Sequence, residues 1–231
     1  MRFSTLLRKE LRECLPWMLL AALVFLAFGG FFLRALAYDQ RDYRYYPNFS
    51  AGTLVEPGRL TQHTPLLLTG SCLFCSSLGL GLILGVRHFW IPHFTRTWPF
   101  LLHRSADRKT ILAGKLTAAS IALALSLGPV WIGLYRYACQ PEIFPIPQTP
   151  RVFIEGWIFI MLGLVAYLGT TLSGLSTAKW YTTKIFGLAF ATVIIFTTFS
   201  QWSLVWAFAV IAISVVILLS RIFDTFLRRE F

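Results

Sequence analysis

Apolar and polar positions segregate into blocks along this chain: long uncharged apolar runs alternate with short segments that carry nearly all of the charge. Cys14 to Leu33 is the first run, and its 20 residues, at about 1.5 Å each in a helix, suffice to cross a hydrocarbon core of about 30 Å. Thr64 to Val86, Leu116 to Tyr135 and Gly156 to Ala178 repeat the pattern. The last run, Ile185 to Ser220, holds 36 residues, about 54 Å as one helix, and so suits two crossings with a turn near Ser200 and Gln201. One span plus a re-entrant segment is the other arrangement open to it. The pattern predicts an all-α integral membrane protein. Its six transmembrane helices fall at approximately 14–36, 64–86, 111–135, 154–177, 181–199 and 202–220, in a single domain over 14–231. Residues 1–13 set Phe3, Leu6, Leu7 and Leu11 on one helical face and Arg2, Arg8, Lys9 and Arg12 around the rest. That arrangement predicts an N-terminal amphipathic helix in the membrane interface.

Composition fits the same class. With 56% hydrophobic residues, 13% charged residues and a mean hydropathy of +0.65, the chain cannot cover a soluble globule with polar groups. A net charge of +11 would point a soluble protein toward nucleic acid; here the charge lies beside apolar runs, where it orients spans and meets anionic membrane lipid. Under the six-span arrangement 15 of the 21 Lys and Arg residues fall on one side. The expectation is a multi-pass protein of the cell (inner or plasma) membrane with both termini cytoplasmic. Trp131, Trp157, Trp202 and Trp206 then fall toward the outer ends of spans and Trp17 and Trp180 toward the inner ends, as an aromatic belt would.

Small residues suggest where helices meet. Ser77, Gly81 and Gly85 fall four apart and form a face for close helix packing, either within the chain or as a dimer face. Gly128-Pro129 predicts a kink in the third span, and Pro141, Pro145, Pro147 and Pro150 predict an extended external connection.

Candidate chemistry is sparse. No Asp, Glu, Lys or Arg falls inside the six uncharged cores, which argues against a buried acid that carries a proton or holds sodium. The chain has no phosphate-binding glycine loop, since Gly114-Lys115 is followed by Leu116 without the earlier glycine. Cys72 and Cys75 have redox spacing but lie in an apolar run, where packing is the simpler reading. His88, His93 and His103 share a basic segment without supporting Cys or acid residues, so they read as solvated or partner-facing. No cofactor, metal or catalytic residue is expected, and ATP, if used, is bound by another polypeptide.

The basic segment from Arg87 to Leu116 carries six of the 21 Lys and Arg residues and one acid, Asp107. Within it Thr97-Trp98-Pro99-Phe100-Leu101-Leu102 reads as a cap, a first-turn proline and apolar side chains of a short helix pressed against something. The stretch TWPFLLHRSADRKTILAGKL resembles the first cytoplasmic loop of membrane subunits of ABC transporters of the type-2 export class. The resemblance implies a short coupling helix between spans two and three, with Arg108 and Lys115 at the family's Arg and Lys positions. It also implies a permease half that joins a second half, as a homodimer or heterodimer, and a cytoplasmic ATP-binding subunit. Trp98, Phe100, Leu101, Leu102, Arg104 and Arg108 are the residues expected to couple to that subunit. A non-transporting membrane scaffold or assembly factor is the competing function.

Overall fold

The computed structural model describes residues 3–45, 65–95, 107–141, 149–176, 185–200 and 203–228, and every regular element among them is helical. α1 is Phe3–Tyr45, α2 is Pro65–Gly85, and a five-residue π-helical segment, Val86–Trp90, carries α2 into the single turn of α3, Ile91–Phe94. α4 is Arg108–Ala138, α5 Pro150–Leu175, α6 Phe186–Phe199 and α7 Leu204–Arg228. Among the described residues five helices are long and apolar enough to cross a membrane: Phe3–Ala35, Leu66–Trp90, Arg108–Ala138, Pro150–Leu175 and Leu204–Leu227. The run from Ile185 onward does divide near Ser200. Its first part, α6, has only 14 residues, about 21 Å, less than a full hydrocarbon core.

The expected division at residue 13 has no counterpart in the backbone. α1 runs unbroken through Pro16 to Tyr45, because one face, with Glu10, Cys14, Phe25 and Leu33 buried on it, turns toward the bundle along the helix. The helix also continues past Asp39, into residues expected to form an external loop. Pro150 opens α5 at its first position, where a missing N–H costs nothing, rather than closing an extended connection. α4 passes through Pro129 as one helix.

α5 is the centre of the bundle, packed against α2, α4, α6 and α7. Glycine makes this possible on two sides. Toward α2, a Cβ on Gly81 would run into the Gly163 carbonyl, one on Gly85 would lie 2.6 Å from Thr170 Cβ, and Ser77 Oγ donates to the Ile160 carbonyl at 3.3 Å. The Ser77, Gly81, Gly85 face is therefore filled by α5 of the same chain and is not a dimer face. Toward α6, Gly169 and Gly187 meet backbone to backbone, and Ser173 Oγ accepts the Leu188 N–H at 3.1 Å. Trp131, expected in an aromatic belt, is instead buried between α4 and α5, donating to the Phe153 carbonyl at 3.2 Å beside Gly156.

These contacts predict an asymmetry between neighbouring glycines of α2. Gly81→Ala must push two backbones apart and should destabilise the protein by about 1–3 kcal/mol. Gly79→Ala meets nothing within 4 Å and should be neutral or slightly stabilising. Denaturant titration of both variants in detergent checks this; equal stability of the two would reject the α2–α5 contact.

Candidate functional site

Four helical segments converge at one end of the bundle: the start of α1, the π segment after α2, the start of α4 and the end of α5. Leu6 lies against Gly114 and Trp90 against Gly174, which fixes the pairing. Each segment sends a polar side chain inward. Glu10 lies on the buried stripe of α1, one turn before Cys14. Lys115 lies two turns into α4, and Tyr167 two turns before the end of α5.

Lys115 Nζ donates to Glu10 Oε2 at 3.1 Å, with the two residues only 7% and 5% exposed. Taking either charge out of water alone costs several kcal/mol, so each makes the other's burial tolerable. His88 Nε2 stands 3.8 Å from the same Glu10 oxygen and 3.4 Å from Cys14 Sγ, and its Nδ1 is 3.2 Å from the Tyr167 hydroxyl. That hydroxyl donates to the Lys115 carbonyl at 3.3 Å. The hydroxyl has one proton, and with it committed to the carbonyl, His88 must supply the Nδ1–H that Tyr167 accepts. Nε2 then faces the Cys14 thiol and the Glu10 carboxylate. At the rim, Glu13 bridges Lys9 at 3.7 Å and Arg87 at 3.9 Å, and these groups are far more open to solvent.

The π segment places His88 there. Ile91 N–H reaches back five residues to the Val86 carbonyl, closing a widened turn of the kind often found at functional sites. Its far side is held by Trp90, whose indole N–H donates to the Thr170 carbonyl at 3.0 Å, in space that a side chain at Gly174 would occupy.

The arrangement is a junction of four helical segments. A thiol, an imidazole and a carboxylate lie together, with Cys14 and Glu10 both on the Nε2 side of His88. Cys14 is also wholly buried. Among the described residues no group of three His, Cys, Asp or Glu side chains is placed to hold a metal, and the Lys115 ammonium already occupies the position beside Glu10.

Two expectations are corrected here. His88 is 2% exposed and bonded to Cys14 of α1 and Tyr167 of α5, so it is neither solvated nor free for a partner. An acid is buried after all, because the helices that cross begin before their uncharged runs do. Of the expected coupling residues, Arg108 opens α4 and is half-buried, while Trp98, Phe100, Leu101, Leu102 and Arg104 lie outside the described residues. Ser77, Gly81 and Gly85 sit farther along α2, against α5. Glu10, Cys14, His88 and Tyr167 were not anticipated as a group. The signal for Glu10 was its position one turn before Cys14, on the same helical stripe. No protein-family model matches the chain, and comparison with curated proteins and with solved structures gives no match.

Removing one member of the ion pair should cost far more than removing both. Glu10→Ala or Lys115→Ala alone should destabilise by about 3–5 kcal/mol, while Glu10→Leu with Lys115→Met should return to within about 1 kcal/mol of the parent protein. Unfolding of the three variants in detergent measures this, and single losses below about 1 kcal/mol would mean that the pair is solvated.

Proposed function

We propose that this chain is a six-span permease half of an ATP-driven exporter of the type-2 ABC class, coupling through residues 96–106 to a separate ATP-binding subunit. The single observation that supports the reading best is the buried junction. The segment that leads into 96–106 and the helix that follows it are tied to each other, to α1 and to α5, through His88, Lys115, Glu10 and Tyr167. Force applied to that connection would reach four helices at once. Trp98, Phe100, Leu101 and Leu102 supply apolar anchors for the partner's cleft, and Arg104 and Arg108 supply charge. In this reading α6 is the fifth crossing, thinner than the rest, and the basic end of the bundle, with Arg8, Lys9, Arg12, Arg87, Arg108 and Lys109, faces the cytoplasm. Both termini lie there, in the cell membrane. A second permease half joins through a surface other than the Ser77, Gly81, Gly85 face.

Topology tests the span count. Cysteine labelling should find residues Ser50 and Gln148 outside and Arg104, Lys179 and the C-terminus inside; an external C-terminus would reject six spans. Coupling tests the function. Phe100→Ala with Leu101→Ala changes no membrane segment, yet loss of about 1.4 kcal/mol at the interface should weaken capture of the ATP-binding subunit about tenfold. Arg108→Glu should add to the loss. Co-purification of that subunit and ATP turnover in reconstituted membranes give the readout. Unchanged capture and turnover in a stably inserted double variant would leave the scaffold function instead.

A further inference from the structure

At the end of the bundle away from the junction the helices do not finish level. α2 and α5 start there, at Pro65 and Pro150, and Tyr135 against Phe153, 4.9 Å between ring centroids, brings the end of α4 level with them. α6 stops short. It runs antiparallel to α5, with Gly187 on Gly169, and the ring of its last residue, Phe199, lies 4.9 Å from Phe74 of α2 and 5.8 Å from Phe159 of α5. Phe74 and Phe159 are each nine residues, about 13 Å, inside the starts of their helices. Counting from the glycine contact gives about 10 Å, since the twelve residues from Gly187 to Phe199 match the twelve from Gly169 back to Trp157. The turn between α6 and α7 is therefore recessed by roughly 10–13 Å.

The recess is fixed, and it is polar. Sliding α6 outward by a turn would bring a side chain between the touching backbones of Gly169 and Gly187 and break the 3.1 Å bond from Leu188 N–H to Ser173 Oγ. A turn between two helices carries the last carbonyls of one and the first N–H groups of the next, which lack partners within their own helices. Irregular backbone at membrane depth occurs only where protein or water covers it. Ser200 and Ser203, on either side of this turn, are exposed, so the described parts of the chain do not cover it. A charged pair overlooks it. Glu155 lies one turn before Phe159 on the same face of α5 and accepts from Arg151 Nε at 2.9 Å, the two side chains being 36% and 58% exposed.

We infer that the phospholipid leaflet at this end dips over α6, so that its headgroups and their water descend to the turn between α6 and α7. A bilayer that meets a helix too short for it thins locally at modest cost, whereas backbone groups left unpaired in hydrocarbon cost far more. Arg151 and Glu155 offer a zwitterionic headgroup a partner of each sign. The opposite flank calls for no dip, because α1 runs unbroken past this depth with an apolar exposed face. The inference requires a membrane-spanning bundle but neither its orientation nor the exporter function.

The test compares Ser200→Cys with Ala27→Cys in the full chain, with Cys72, Cys75 and Cys139 replaced by alanine and the wholly buried Cys14 retained. Ala27 is exposed on α1, and Gly29 against Thr69 places it farther out than Phe74, so depth alone would favour its labelling. The protein is held in phosphatidylcholine vesicles, and a charged, membrane-impermeant maleimide is present on both sides. Ser200→Cys should react about tenfold faster or more, since neither the reagent nor a thiolate enters hydrocarbon. In vesicles of shorter acyl chains the Ala27→Cys rate should rise toward it, as the flat bilayer thins around α1. Slow reaction at both positions means that hydrocarbon, or a second chain, covers the turn; fast reaction at both means that the leaflet lies low all round the bundle. Either result overturns the inference, and so does a gap that bilayer thickness leaves unchanged.

Discussion

The contact on which the rest of this structure depends is the buried pair of Glu10 and Lys115. Neither charge tolerates its surroundings alone, and together they are worth little as net stability, because desolvation offsets most of their attraction. What the pair supplies is registration. α1 and α4 run side by side, Leu6 against Gly114 and, far along the same two helices, Gly29 against Leu134. Such apolar contacts slide easily, since one turn of Leu and Ala resembles the next. A charge pair does not slide. This also explains why the first residues of α1 stay within the bundle although their exposed side, with Arg8, Lys9 and Arg12, suits a lipid interface: releasing them would strand Lys115.

From that pair the structure extends through α5. Tyr167 receives the junction, and within the next three residues come Gly169 and Thr170, which meet α6 and α2. Where backbones touch with no side chain between them, a shift of one helix cannot be absorbed by rotamer changes and must pass to the next. Displacement of His88 thus reaches α6 through one rigid helix.

Sequence patterning made the helices legible because charge is excluded from hydrocarbon, and uncharged runs are easy to see. The same logic concealed the site. Counting uncharged runs places span ends at the first charge, whereas α1, the π segment and α4 carry Glu10, His88 and Lys115 inward on faces that the bundle, not the bilayer, surrounds. A run-length criterion knows nothing of faces. Periodicity would have helped for Glu10, which shares a stripe with Cys14 and Phe25, but nothing local distinguishes His88 from His103. Only tertiary packing brings His88 to Tyr167, 79 positions away. The Ser77, Gly81, Gly85 face was legible as a packing surface, yet its partner was not, since Gly163 and Thr170 would serve equally well in another copy.

The geometry between the junction and residues 96–106 bears on how a signal would travel under the exporter reading. Arg108 starts α4, and Lys115 follows seven residues later, about 10 Å along a continuous helix. On the other side, Trp90 is clamped to Thr170, and one helical turn, Ile91–Phe94, leads out. Neither path contains a glycine hinge, because Gly114 is packed on Leu6 and its helix is unbroken. A partner seated on the connection therefore acts through two short stiff levers that meet at the same buried junction. Moving one lever without the other would pull His88 from Tyr167 or Lys115 from Glu10, and the low polarity around them makes that separation costly. The two levers are thus constrained to move together, and α1 and α5 with them, which is the behaviour expected of an element that passes a push from outside the bundle to all four helices.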